Sequence, residues 1–479
     1  MNQLLWMRTD LRVTDNSALV AAMNAGPTIA LYLITPGQWL AHDDAACKVD
    51  FWLRNLSEVS TQLAELNVPL LIRIVHDWQG VPTLIADLCR EHAIGSVHVN
   101  DEYGVNEQRR DDAVERALCD TQASLRRHLD QLLFAPSSVH TLSGGCFKVF
   151  SQFRKVCYSR LSQSLPPCLP VPVRQSALPL ASDPIPAAVD GFAVPSDYLR
   201  SLWPAGEKFA RERLAIFTED DLAEYQLRRD LPAEPGTSQL SAYLAAGVIS
   251  TRQCLHAALR TNQGELDSGN PGAVTWINEL LWREFYKHIL VGYPQVSMGR
   301  AFRRETEALP WRHAPDELAA WQQGRTGFPI IDAAMRQLLA TGWMHNRLRM
   351  IVAMFLTKNL LIDWREGERW FMRHLIDGDL AANNGGWQWS ASTGTDSVPY
   401  FRLFNPLSQS AKFDPDGRFL RRWLPELAEF DKRDIHNPAA GLFGTAEYPQ
   451  PITDLAMSRE RALSAFKSLS ESAFSPIDS

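Results

Sequence analysis

Eight of the chain's 29 prolines fall within residues 166–195, and the sequence changes character across them. Pro166, Pro167, Pro170, Pro172, Pro179, Pro184, Pro186 and Pro195 each lack an amide donor and fix φ, so neither a helix nor a central strand persists there. The segment reads as an extended connector wrapping the surface between two domains. A chain of 479 residues has room for two or three domains around it.

Before the connector the pattern alternates. Leu4–Met7, Thr28–Ile34, Leu70–Val75 and Ile94–Asn100 are short apolar runs, and Gln131–Phe134 is a candidate fifth. Amphipathic stretches at Ser17–Asn24, Cys47–Leu66 and Val81–His92 separate them. Such alternation predicts a parallel sheet wrapped by helices, a Rossmann-like α/β domain. No GxGxxG follows the first run, so dinucleotide-dependent dehydrogenase chemistry is not expected.

From about Tyr198 helical spacing takes over, which predicts an all-α second domain. The expected division is 1–135 for the α/β domain, 136–197 for the linker and 198–479 for the helical domain. Further helices are expected at 317–323, 329–340, 345–361 and 365–375.

Composition excludes several classes. With 45% hydrophobic and 22% charged residues the chain is not wholly disordered, and no run nears the ~18 apolar residues of a membrane span. The N-terminus lacks the order of a secretory signal, which points to the cytoplasm. Net charge is −7, so any nucleic-acid binding must come from a local patch. The seven cysteines form no CxxC pair and read as reduced thiols, with no zinc site expected.

Ten of the fifteen tryptophans lie at or beyond Trp276. They make either a large aromatic core or a set of rings that carry electrons and stack on planar ligands. In the helix expected over 276–290, Glu279, Trp282, Arg283 and Tyr286 share one face at i, i+3, i+4, i+7, as a stripe lining something would. Gly236-Thr237-Ser238-Gln239-Leu240-Ser241 precedes a helical stretch and serves either as a plain cap or as a phosphate cradle.

Residues 321–375 carry eight basic and four acidic side chains, either a solvated face or, with Trp343, Trp364 and Trp370 interleaved, a surface that tracks a nucleic-acid backbone. The densest segment is Asp377-Gly378-Asp379-Leu380-Ala381-Ala382-Asn383-Asn384-Gly385-Gly386-Trp387-Gln388-Trp389. Its Asn-Asn-Gly-Gly core is expected to break regular structure, and its carboxylates need partners, for which Arg347 and Arg349 are candidates. It reads as a structural polar knot or as a pocket for a flat, hydrogen-bonding cofactor.

Three stretches then carry a resemblance. Trp6-Met7-Arg8-Thr9-Asp10-Leu11-Arg12-Val13-Thr14-Asp15-Asn16, Gly342-Trp343-Met344-His345-Asn346-Arg347-Leu348-Arg349-Met350 and 377–389 resemble, in order, the opening, central and flavin-site motifs of the photolyase/cryptochrome family. The resemblance runs from residue 4 to about 450, and is to the bacterial class I branch that repairs cyclobutane pyrimidine dimers.

It implies an N-terminal α/β antenna domain, a wrapping linker and a C-terminal helical FAD-binding domain. It assigns Tyr225, Thr237, Ser238, Leu240 and Ser241 to the phosphates and ribitol of FAD. Gln239 stands where many relatives have a basic residue. Trp276, Glu279, Arg283, Asn346, Arg349, Asp377, Asp379 and Asn383 are assigned to the rest of FAD. Asn383 matches the position facing flavin N5, where a neutral amide accompanies a fully reduced, anionic flavin. Glu279, Trp282, Arg229, Asn346, Arg347, Met350 and Trp389 match the substrate cavity and the phosphate grip.

Trp387, Trp364 and Trp311 match the family's electron-transfer chain. Among these residues Glu279, Asn346, Asn383 and the three tryptophans carry the catalytic roles, with Glu279 stabilising the dimer radical anion. His42, Asn106 and Glu107 match contacts to methenyltetrahydrofolate, with a deazaflavin or an empty site as alternatives. Ser297-Met298 stands where folate-binding relatives have a cysteine–lysine pair.

The implied activity is light-driven splitting of pyrimidine dimers in DNA by a cytoplasmic monomer that joins the nucleoid on damaged DNA. The second reading is a cryptochrome-type blue-light receptor that binds FAD without repair. Such receptors often carry a long C-terminal extension, which is not expected after the helical stretch Ser458–Leu469. A folate- or nucleotide-binding α/β protein with an unrelated helical partner would leave 377–389 unexplained.

Overall fold

The computed structural model describes residues 1–440 and 448–472 and divides into two compact units. The first comprises Met1–Gln226, Ser238–Pro294 and Ile376–Asp379; the second comprises Leu227–Thr237, Gln295–Leu375 and Leu380–Ser479.

The first unit is built on five parallel strands, β1 (Asn2–Met7), β2 (Thr28–Ile34), β3 (Leu70–Ile74), β4 (Ile94–Asn100) and β5 (Ser124–His128), in the order β3-β2-β1-β4-β5. Every residue of β2 is buried, as a strand covered on both faces must be. Helices Ser17–Ala25, Ala46–Glu65, Val81–Glu91 and Val105–Leu118 supply the crossovers.

The fifth strand is not the one expected. Ser124–His128 is a polar edge, Ser-Leu-Arg-Arg-His, that pairs only with β4. Gln131–Phe134 is irregular because its backbone groups are satisfied elsewhere. The amides of Leu133 and Phe134 donate to the buried Glu284 carboxylate at 3.0 and 2.9 Å, and the Gln131 carbonyl accepts from Arg283 at 2.8 Å.

The opening motif builds the sheet's polar end. Asp15 and Asp130, both fully buried, sit between the Arg12 and Arg252 guanidiniums, with Arg12–Asp130 at 2.5 Å, Arg252–Asp130 at 2.8 Å and Arg252–Asp15 at 3.0 Å. Two cations and two carboxylates offset the desolvation that a lone buried charge would suffer. Arg8 pairs with Asp111 at 2.7 Å, and Asn100 donates to Asp10 at 2.6 Å.

The proline-rich stretch is extended and lies along the exposed edge of β3. Leu70 N donates to Ser182 Oγ at 3.0 Å and Ile72 N to Asp183 Oδ2 at 2.9 Å, so the edge amides are capped. The helix Phe150–Gln163 lies just before this stretch.

The second unit is helical, with helices at Pro315–Gln322, Pro329–Thr341, Asn346–Met354, Trp364–Met372, Leu380–Ala391, Pro406–Phe413 and Leu455–Ser472. Its core gathers Trp321, Trp364 and Trp387 with Phe355, Phe371 and a shell of leucines and isoleucines. The stretch expected as one helix over 345–361 ends in a single π-helical turn, Phe355–Asn359.

Contrary to expectation, Asn383-Asn384-Gly385-Gly386 lies inside the Leu380–Ala391 helix. Intrinsic preference is overridden by tertiary bonds. Asn383 and Asn384 are tied to Glu368, Gln388 is tied to Asn384, and the Trp387 ring is sunk into the core.

Candidate flavin and substrate site

In the first unit the helix Pro271–Gly292, capped by Asn270 on Ala273 N, carries the expected stripe. Glu279, Trp282, Arg283 and Tyr286 are all half-buried, between the fully buried Ile277, Leu281 and Phe285 and the solvent side. Phe150 stacks on the Trp282 ring with centroids 3.7 Å apart at 12°, which fixes its plane. Trp276 is buried against Phe217. Arg283 donates to the carbonyl of Gln131 and to Thr251 Oγ1 at 3.1 Å, so much of its fork is spent on the fold.

Tyr225 opens a short helical turn and is buried. Ser238, Gln239 and Leu240 lead into the five-residue helix Ser241–Ala245. Gln239 adopts φ +48°, and its side-chain oxygen accepts from Arg213 at 2.9 Å. Asp379 pairs with Lys287 at 2.7 Å. Asp377 is buried.

The antenna trio is brought together in the same unit. His42 Nε2 lies 3.1 Å from Asn106 Nδ2 and 2.9 Å from Gln38 Nε2, and the Trp78 ring meets the imidazole edge-on at 4.9 Å. Burial and the neighbouring Glu102 push the Glu107 carboxyl up, while His42 pulls it back.

In the second unit the central motif starts the Asn346–Met354 helix. His345 caps it, Nδ1 accepting from Arg347 N at 3.1 Å, and burial holds the imidazole neutral with its pKa down to about 4. Since Nδ1 accepts, the proton sits on Nε2, which is buried with no acceptor among the described residues. Asn346 is exposed, Met350 and Arg349 are half-buried, and Arg349 Nε donates to the Met344 carbonyl at 2.8 Å. Arg347 pairs with Asp230 at 2.6 Å. The partners expected for the 377–389 carboxylates are therefore corrected in two places: Asp379 takes Lys287, and Arg347 takes Asp230.

Asn383 Nδ2 donates to the backbone carbonyl of Glu368 at 3.0 Å. A carbonyl can only accept, so this bond assigns Nδ2 to the end of the amide that meets Glu368 and Oδ1 to the other end. Asn384 Nδ2 donates to the Glu368 carboxylate at 2.8 Å, and burial pushes that carboxyl up to about 7. Trp387 packs edge-on against Phe371 at 5.0 Å and Trp321 at 6.0 Å, and its Nε1 is buried without an acceptor among the described residues. Trp364 is buried in the same core, which the half-buried Trp311 packs against; Trp389 is half-buried. Thr237 and Arg229 lie half-buried in the 227–237 segment.

Sequence reasoning missed Glu368, Asp230 and Lys287. Each is defined by a partner far along the chain, 16, 117 and 92 residues away, so no local spacing reveals it.

A sheet domain with a long extended connector, a helical body, and an oriented amide beside a tryptophan core define a flavoprotein of the photolyase/cryptochrome family, and the chain belongs to it. Residues 3–172 match the DNA photolyase family, and residues 276–468 match the FAD binding domain of DNA photolyase. The relatives are deoxyribodipyrimidine photo-lyases. That of Salmonella typhimurium is 45% identical with 97% of this chain and 98% of the relative covered, and that of Escherichia coli is 44% identical over the same shares.

Among solved structures, a class III photolyase from Agrobacterium tumefaciens superposes with a TM-score of 0.88 at 34% identity, 98% of each chain being covered. A Synechocystis cryptochrome superposes with a TM-score of 0.85 at 27% identity, covering 97% of this chain and 99% of that one.

The second unit offers a flavin a neutral amide at Asn383 and, on the same helix, a buried indole donor, Trp387 Nε1, that has no acceptor among the described residues. Among the described residues no group of three or more His, Cys, Asp or Glu is placed to hold a metal, and no helix is long and apolar enough to cross a membrane.

Proposed function

We propose that this chain repairs cyclobutane pyrimidine dimers in DNA by light-driven electron transfer, holding FAD through the residues assigned to it above. The observation that carries the reading is the Asn383 amide, its Nδ2 held by the Glu368 carbonyl, at the position the family resemblance sets beside flavin N5. An amide neither gives up nor takes a proton near neutral pH, which suits an anionic reduced flavin and therefore repair. Bound and reduced, FAD supplies an electron on excitation and recovers it after the ring has opened.

The chain's own residues do the rest. Trp282, backed by Phe150, and Trp389 offer flat faces to the extruded bases. Swinging a lesion out of the duplex costs a few kcal/mol, and stacking at roughly 1–3 kcal/mol per base offsets it. Glu279 hydrogen-bonds the dimer as it gains charge. Asn346 and Met350 bound the cavity, and Arg229 and Arg347 meet backbone phosphates. Trp387, Trp364 and Trp311 pass electrons inward to keep the flavin reduced.

We assign the second chromophore to His42, Asn106 and Glu107 and read it as methenyltetrahydrofolate, with a deazaflavin or an empty site as the alternatives. In this division 1–135 is the antenna domain, 136–197 the linker and 198–479 the catalytic domain of a cytoplasmic monomer that joins the nucleoid on damaged DNA.

The test uses purified, reduced protein with ultraviolet-damaged oligothymidine under blue light, following recovery of the pyrimidine absorbance against a dark control. Light-dependent recovery is the expected result. Its absence with reduced FAD bound overturns repair in favour of a photoreceptor.

A further inference from the structure

Arg347, assigned to a DNA phosphate, already carries an anion in this structure. Its Nη2 donates to Asp230 Oδ2 at 2.6 Å, its guanidinium lies 4.7 Å from the Phe413 ring centre, and its Nη1 is 3.7 Å from the Met350 sulfur. Nε is buried without an acceptor among the described residues. A guanidinium presents a planar fork of donors that matches carboxylate and phosphate equally well. Here a carboxylate has one arm of the fork.

Asp230 is no loose surface side chain. It sits in the turn after Tyr225–Arg228, where Leu231 N donates to the Arg228 carbonyl at 3.0 Å and Glu234 N to the Leu231 carbonyl at 3.0 Å. Gly236 closes the turn so tightly that a Cβ there would stand 2.7 Å from Arg228 Cβ. Glu234 is in turn held by Arg418. A second cation, Arg229, approaches Asp230 at 3.9 Å. The Asp230 side chain is 34% exposed against 18% for Arg347, so the carboxylate stands on the solvent side of the pair.

We propose that Asp230 stands in for a DNA phosphate on Arg347, an internal anion that any duplex must displace, and that it thereby weakens the chain's hold on the DNA backbone and lowers the salt dependence of that hold. The inference rests on the repair reading above. Undamaged duplex is held through phosphates alone, each adding salt-dependent, sequence-independent affinity. A carboxylate on Arg347 removes one such contact and sets like charge against the arriving phosphate. A flipped dimer adds base stacking to the same phosphate contacts, so the cost of displacing Asp230 is common to both and leaves the preference for the dimer unchanged.

The experiment compares wild type and Asp230→Asn, with FAD bound, on undamaged and dimer-containing duplex across a salt series. The variant is expected to bind undamaged duplex several-fold more tightly, with the plot of log affinity against log salt steeper by about one. Its preference for the dimer is expected to stay within about twofold of wild type, because the cost is common to both duplexes. In an Arg347→Gln background the same substitution is expected to gain nothing, since the effect passes through that side chain.

Unchanged or weaker binding of undamaged duplex by Asp230→Asn overturns the inference. So does an equal gain without Arg347, which would be bulk charge alone. Retained FAD absorbance in each variant establishes that it is folded. A wild type that shows no preference for dimer DNA sinks the repair reading itself, and is told apart from failure of this inference by the wild-type curves alone.

Discussion

Asn383 and Glu368 meet side chain to backbone: the asparagine amide donates to the glutamate's carbonyl, while the glutamate's carboxyl accepts from the next residue, Asn384. One turn of the Trp364–Met372 helix therefore orients two consecutive amides of the Leu380–Ala391 helix. The bond fixes Nδ2 as the end of the Asn383 amide that meets Glu368 and leaves a neutral oxygen, not an acid, at the other end.

Replacing Asn383 with Asp reverses this. An ionised aspartate has no donor for the Glu368 carbonyl, so the side chain is favoured in its protonated form, which can hand a proton on. Photoreduction of the FAD-loaded variant should stall after one electron, read as a persistent red-shifted band in place of full bleaching. Full two-electron bleaching as in wild type would remove Asn383 from its assigned role.

The Glu368 carboxyl sets a pH dependence. Its native pKa is raised to about 7 by burial, above the ordinary 4.5, so the folded state holds a proton that the unfolded chain has released between those values. Its contribution is fully present below the unfolded pKa and is lost as pH rises through the folded one. Glu368→Gln keeps an acceptor for Asn384 and removes the penalty, so it should stabilise the protein by about 3 kcal/mol at about pH 8 and by nothing at about pH 4. Thermal unfolding at the two pH values checks this; an equal gain at both would mean that the effect is not the carboxyl's ionisation.

Gly367 lies in the Trp364–Met372 helix with no room above it. A Cβ there would stand 2.1 Å from the Trp387 ring, a rigid edge that cannot fold away. Alanine is worth about 1 kcal/mol over glycine in a helix, yet overpacking costs typically 1–3 kcal/mol and here falls on a fully buried indole. Gly367→Ala should lower stability by about 1–2 kcal/mol net and shift the Trp387 fluorescence. A stabilised variant would show that the ring yields.

Much of this was legible in the sequence, unevenly. β2 coincides with its apolar run because a strand covered on both faces is mostly apolar, and β4 coincides with its run although it carries Ser96, His98 and Asn100, whereas β5, one edge strand reading Ser-Leu-Arg-Arg-His, carries no such signal. Gln131–Phe134 looks like a strand because the Glu284 that caps its amides is 150 residues away. The Glu279–Tyr286 stripe was readable from i, i+3, i+4, i+7 spacing alone. The Asn-Asn-Gly-Gly segment was not, since its helix depends on Glu368 and on a tryptophan sunk in the core. Local preference fails where tertiary bonds are concentrated, and here they are concentrated at the site.

Trp311 supplies the last prediction. It is half-buried and packs against the core that holds Trp364 and Trp387, so it borders both the solvent and the buried rings. Phenylalanine fills most of its volume but is far harder to oxidise. Trp311→Phe should slow photoreduction by an external donor about tenfold or more, while repair by flavin reduced chemically beforehand stays within about twofold of wild type. The split between the two readouts separates roles: electron supply affects only the first, and packing affects both. Loss of both activities, with FAD content falling in parallel, would make Trp311 a structural residue and end the chain at Trp364.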